Sequence, residues 1–144
     1  MDDADRAYRA AIEAQLPPAK STALLQTMAQ FRSNVAQLRE QTRAATEYGD
    51  FDPLDTYVPS IPASHAHAVR AANTADLARG EVARLRAQAN ARIGELLERD
   101  DIERLTEAKR ARNAAFDRAI REALPSATSD QIATHLMLLA DGWY

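Results

Sequence analysis

The chain has 144 residues, 31 of them alanine, and carries 18 basic against 21 acidic side chains for a net charge of −3. That near-balance excludes a global electrostatic field calling for nucleic acid or membrane, and the absence of cysteine excludes disulfides and thiolate metal sites. Leu, Ile, Val and Phe together number 27, about a fifth of the chain and near the lower limit for a globular protein; the length predicts one domain, made of helices that form readily but bury little.

The first helix is predicted over residues 3–16. Asp2 or Asp3 can cap it, and Ala4, Tyr8, Ile12 and Leu16 recur every fourth residue. Asp2, Asp3 and Asp5 are the reverse of the basic start of a secretory signal, and no apolar run approaches the ~20 residues of a membrane span. Residence in the cytoplasm, or in a virion if the chain is phage-encoded, is the expectation. Pro17–Pro18 ends this helix, because the residue before a proline is pushed out of helical geometry.

A second helix is predicted over residues 21–48, starting at Ser21 and stopping at Gly49. Leu24, Met28, Phe31, Val35, Leu38, Thr42 and Ala45 alternate spacings of four and three, which keeps one narrow seam on one side of a helix about 40 Å long. Residues 49–63 are the one sizeable non-helical tract, since Pro53, Pro59 and Pro62 exclude a helix interior. Its apolar members Phe51, Leu54, Tyr57, Val58 and Ile61 suit an anchoring segment rather than idle slack.

Ser64 is expected to cap a third helix over residues 64–99, with the seam Ala75, Ala78, Val82, Leu85, Ala89, Ile93 and Leu96. Asp100 with Glu103 reads as a capping-box relative that restarts the chain as a helix over residues 101–124, closed by Pro125. Thr128 and Gln131 form a further capping box ahead of a last helix over residues 129–140, which Gly142 terminates before Trp143–Tyr144. The expected architecture is all-α: a long antiparallel helical hairpin with coiled-coil-like packing, and shorter helices at both ends.

Candidate chemical sites are few. His65 and His67 project about 200° apart on a helix and cannot converge on one metal, and no Glu-x-x-His occurs, so neither a metal nor a cofactor is expected. With four glycines, no phosphate-cradling loop and no nucleophile beside a base, the chain reads as non-enzymatic. Residues 129–139 resemble the first helix of a helix-turn-helix, but Met137 occupies the small-residue turn position and no recognition helix follows. The acidic cluster Glu47, Asp50, Asp52 and Asp55 lacks calcium-loop spacing.

The expected function is therefore contact: a helical assembly, adaptor or structural subunit, with a bacteriophage virion or its assembly as one setting. Its partners would be proteins, either further copies of the chain or the other subunits of a larger assembly. Met28, Phe31, Val35, Leu38, Val82, Leu85, Ile93 and Leu96 would carry packing and oligomerisation. Phe51, Tyr57, Phe116 and Trp143 would be outward anchors, since aromatic side chains concentrate interface energy. Two alternatives stand beside it. One is a nucleic-acid-associated regulator reading phosphates with Lys109, Arg110, Arg112, Arg118 and Arg121. The other is an inhibitor that places the acidic 47–55 loop in a basic groove.

Overall fold

The computed structural model describes residues 2–45 and 65–143, leaving aside the side chains of 43–45, 65–73 and 75. These residues form five helices in the order α1 (Asp2–Gln15), α2 (Pro18–Ala45), α3 (His65–Leu96), α4 (Arg99–Ala123) and α5 (Ser129–Leu139). No strand occurs among them, so the fold is all-α as the sequence predicts.

Asp2, Asp3 and Asp5 occupy the first turn of α1, where negative charge complements the helix dipole. The four-residue apolar spacing buries Tyr8, Ile12 and Leu16. The chain then breaks only briefly. α2 starts at Pro18 rather than at Ser21, because a proline at the first helical position gives up an N–H that has no intrahelical partner anyway. Ser21 lies within the first turn, its N–H donating to Pro17 O at 2.9 Å and its hydroxyl to Pro18 O at 3.1 Å. The Ser64 cap and the tract 49–63 fall outside the described residues.

The α3–α4 junction also differs from expectation. Leu97 and Glu98 interrupt the helix, and Glu98, with extended backbone at φ −82° and ψ 167°, is the N-cap. Its N–H donates to Asp101 Oδ2 at 3.1 Å. The box is thus Glu98-x-x-Asp101 rather than Asp100-x-x-Glu103. The reason is tertiary: Lys20 Nζ at the start of α2 reaches Asp101 Oδ2 at 2.5 Å, which draws that carboxylate inward. The Thr128–Gln131 box forms as expected, with Gln131 Oε1 accepting from Thr128 N at 2.8 Å and Thr128 Oγ1 accepting from Gln131 N at 3.3 Å.

Two antiparallel pairings organise the helices. Leu24 and Met28 of α2 meet Ile93 of α3 and Leu97 beyond it, while Phe31 and Val35 meet Val82, Leu85 and Ala89. On the other side α1 runs against α4, with Leu16 in the Leu105 cluster and Ala4 in the cluster of Phe116 and Ile120. α5 bridges the two pairs: Ile132 and Leu136 join Phe116 and Ile120, and Met137 joins Phe31 and Val35.

Candidate interaction surface

The heptad positions are buried within this one chain. Met28, Phe31, Val35, Val82, Leu85 and Ile93 are all buried, and Leu38 and Leu96 are half-buried against the same clusters. Two of the expected outward anchors require correction. Phe116 is buried between α4 and α5, and Trp143 is buried at 8 % exposure against Tyr8, with ring centroids 6.2 Å apart. Both rings point inward because the hairpin alone has too few large apolar groups to close its own end. Phe51 and Tyr57 lie outside the described residues.

Trp143 is held there by a turn that sequence reasoning missed. Asp141 adopts the left-handed conformation with φ 53° and Gly142 follows with φ 77°. Gly142 N–H donates to Met137 O and Trp143 N–H to Ala140 O, each at 3.0 Å. The turn seats the Asp141 carboxylate, which is 1 % exposed, between Arg9 of α1 and Arg32 of α2. Three bonds of 2.8 Å close the cluster: Arg9 Nη2 and Arg32 Nη2 donate to Oδ2, and Arg32 Nε donates to Oδ1. The Asp141 bonds hold the guanidinium of Arg32 in its charged form even more firmly than usual.

The basic residues of α4 divide sharply. Arg112 is 1 % exposed and cannot reach a phosphate backbone. Its guanidinium lies 4.1 Å from the Tyr8 ring centroid and 5.9 Å from that of Phe116, and Nη2 donates to Trp143 O at 2.7 Å. Burial lowers its proton affinity, while the π faces and the carbonyl offset that cost. Burial likewise raises the Tyr8 hydroxyl well above the usual phenol range. Lys109 Nζ sits 4.7 Å from the Trp143 ring centroid, and partial burial lowers its pKa. Arg121 is exposed and pairs with Asp117 at 2.9 Å. Arg110 and Arg118 are exposed.

The side chains of His65 and His67 lie outside the described residues, and among the described residues no group of three or more acidic or histidine side chains is placed to hold a metal ion. No helix among them is long and apolar enough to cross a membrane. A hollow of about 350 Å³ between α1, α2 and α5 is lined by Asp5, Arg32, His135 and Asp141 among others. Of these, Asp5, Arg32 and Asp141 already serve the Asp141 cluster.

A larger opening runs along the outer flank of the α2–α3 pair. One section of about 630 Å³ has Phe31, Leu85 and Ala89 as its floor and Gln26, Gln30 and Arg92 on its walls. A second, of about 400 Å³, continues from Asn34 and Leu85 toward Gln37, Gln41 and Glu81. Gln26, Gln30, Asn34, Gln37 and Gln41 are spaced four, four, three and four apart, so one stripe of amides lines the α2 side. On α3 the matching stripe is Leu77, Glu81, Arg84, Gln88 and Arg92, and Leu77 is 76 % exposed. No family model, curated protein or solved structure matches the chain.

Proposed function

We propose that the chain is a non-enzymatic helical subunit, of an assembly or adaptor kind, that acts through protein–protein contacts, with a bacteriophage particle or its assembly as a setting its size and helicity suit. The observation that carries this reading is the α2–α3 pair. Its inner flank is covered by α1, α5 and the Trp143 turn, whereas its outer flank is an open groove with an apolar floor and periodic polar walls, and Leu77 lies bare one turn before Glu81 on the α3 stripe. An open seam with heptad-phased edges is what one helix offers to another.

Support for the nucleic-acid alternative thins by the same geometry. Of its five residues, Arg112 is buried, Arg121 is engaged with Asp117 and Lys109 lies over Trp143, leaving Arg110 and Arg118. The acidic 47–55 loop lies outside the described residues.

The test is light scattering on the full chain eluting from a sizing column at low salt, with absorbance at 260 and 280 nm recorded together. A discrete protein assembly, homomeric or with a co-purifying protein, and free of nucleic acid, is the expected result. Nucleic acid that is shed at high salt would overturn the contact reading in favour of the regulator.

A further inference from the structure

The groove's own chemistry indicates its occupant. The α2 wall consists of amides, each both donor and acceptor, and Gln30 already donates Nε2–H to Asn34 Oδ1 at 2.8 Å along it. Such a wall carries no charge to repel a copy of itself. The α3 wall is charged and ordered: Glu81 toward one end, paired with Arg84, and Arg92 eleven residues on, about 16 Å along the helix. Among the described residues no carboxylate lies within ion-pair reach of Arg92.

The geometry points to a second copy of this chain, docked groove to groove with its α2–α3 pair antiparallel to the first, which makes a four-helix interface about a two-fold axis. The inference rests on the contact reading above and names its partner. A two-fold interface is isologous, so that residue i meeting residue j implies j meeting i. Setting Glu81 against Arg92 of the other copy creates two symmetric ion pairs at once. The same register places the exposed Leu77 opposite the half-buried Leu96, covering the barest large apolar side chain among the described residues. On α2, whose Asn34 lies level with Leu85, it brings Asn34 near the axis and Gln30 opposite Gln37, amide to amide. The reverse, parallel arrangement would place Glu81 level with Glu81 and Arg92 level with Arg92, which like-charge repulsion opposes.

The test is sedimentation equilibrium of the full chain and of three charge variants. Glu81→Arg and Arg92→Glu are each expected to weaken dimerisation roughly tenfold or more, and combining them is expected to recover most of that loss. Circular dichroism checks that each variant keeps its helicity. The chain contains no cysteine, so a second readout is available in Gln88→Cys, beside the axis. This variant should cross-link to itself with a short bis-maleimide, whereas Arg118→Cys on α4 should not.

A chain that stays monomeric up to about 100 µM while binding a different protein would overturn the pairing and leave the contact reading standing. A dimer indifferent to both charge reversals, or cross-linked through position 118 rather than 88, would overturn the groove as its seat. A monomer that binds no protein at all would remove both readings.

Discussion

Asp141 accepts Arg32 through both carboxylate oxygens, each at 2.8 Å, and the two partners differ in their access to water: Asp141 is 1 % exposed and Arg32 is 55 % exposed. Removing the carboxylate leaves arginines that can turn outward, but removing the arginines strands a buried anion. Asp141→Asn is therefore expected to cost about 1–3 kcal/mol. The double variant Arg9→Met with Arg32→Met should cost more, about 3–5 kcal/mol. The two losses of the double variant should not add, because the first arginine removed leaves the second in place. Urea denaturation followed by circular dichroism, on Asp141→Asn, the two single arginine variants and the double, measures these costs.

Gly142 combines a φ of +77° with contact from Phe31, whose ring atoms would lie 2.9 Å from an added Cβ. Gly142→Ala should destabilise by about 2 kcal/mol or more, from left-handed strain plus the clash. In the background of Phe31→Leu the clash is removed and only the strain remains, so the same substitution should cost visibly less. Equal costs in the two backgrounds would refute the steric part.

Gly80 and Gly94 present the opposite case. Both are exposed inside α3, and a Cβ at either meets nothing within 4 Å. Each change to alanine should raise stability by about 0.5–1 kcal/mol through helix propensity and a less disordered unfolded chain. Thermal melts of the single and double variants decide it, and additivity is expected because the sites are four turns apart.

The Lys20 ammonium, and then the Glu98 N–H, lower the pKa of Asp101. A carboxylate whose folded pKa is depressed contributes stability above its unfolded value, and loses that contribution as pH falls through the folded one. The wild type should thus melt above Asp101→Asn at pH 7. The gap should narrow below about pH 4 and close at still lower pH. A gap that widens on acidification would reverse the assignment.

The division among the α4 arginines is open to direct measurement. Arg112→Glu places a buried anion against Tyr8 and the Trp143 carbonyl, and should fail to fold cooperatively. Arg110→Glu with Arg118→Glu changes two exposed groups and should melt within about 1 kcal/mol of the wild type. Comparing the two by circular dichroism separates a structural cation from surface ones. It also guards any nucleic-acid assay against reading misfolding as lost binding.

The helix seams were legible because their signal is local: alternating spacings of three and four place Leu24 through Leu38 on one face whatever surrounds them, and Thr128–Gln131 needs only its own turn. Boundaries were less so. Both Glu98-x-x-Asp101 and Asp100-x-x-Glu103 satisfy the spacing of a capping box, and Lys20, remote in sequence, selects between them. Asp141 was illegible, since its partners lie at positions 9 and 32 and no short-range pattern links them. Arg112 and Trp143 misled for a related reason, because a buried guanidinium and a buried indole have the same composition as exposed ones. The amide stripe of α2 was visible as a period, but a polar period beside an apolar seam reads as a solvated face until the groove between the helices is seen.

The Arg9–Asp141 bond spans 132 positions, which gives the chain an order in time as well as in space. At synthesis rates of about 5–20 residues per second, α1 is made roughly 7–26 s before the carboxylate that locks it exists. The α2–α3 pair can close during that interval from contacts nearer in sequence, whereas α1 must wait for α4, its main partner, to cover Tyr8 and Ile12. Folding of this helical chain should consequently be slower than its helicity suggests, because the α1–α4 contacts raise the mean sequence separation of what it must bring together.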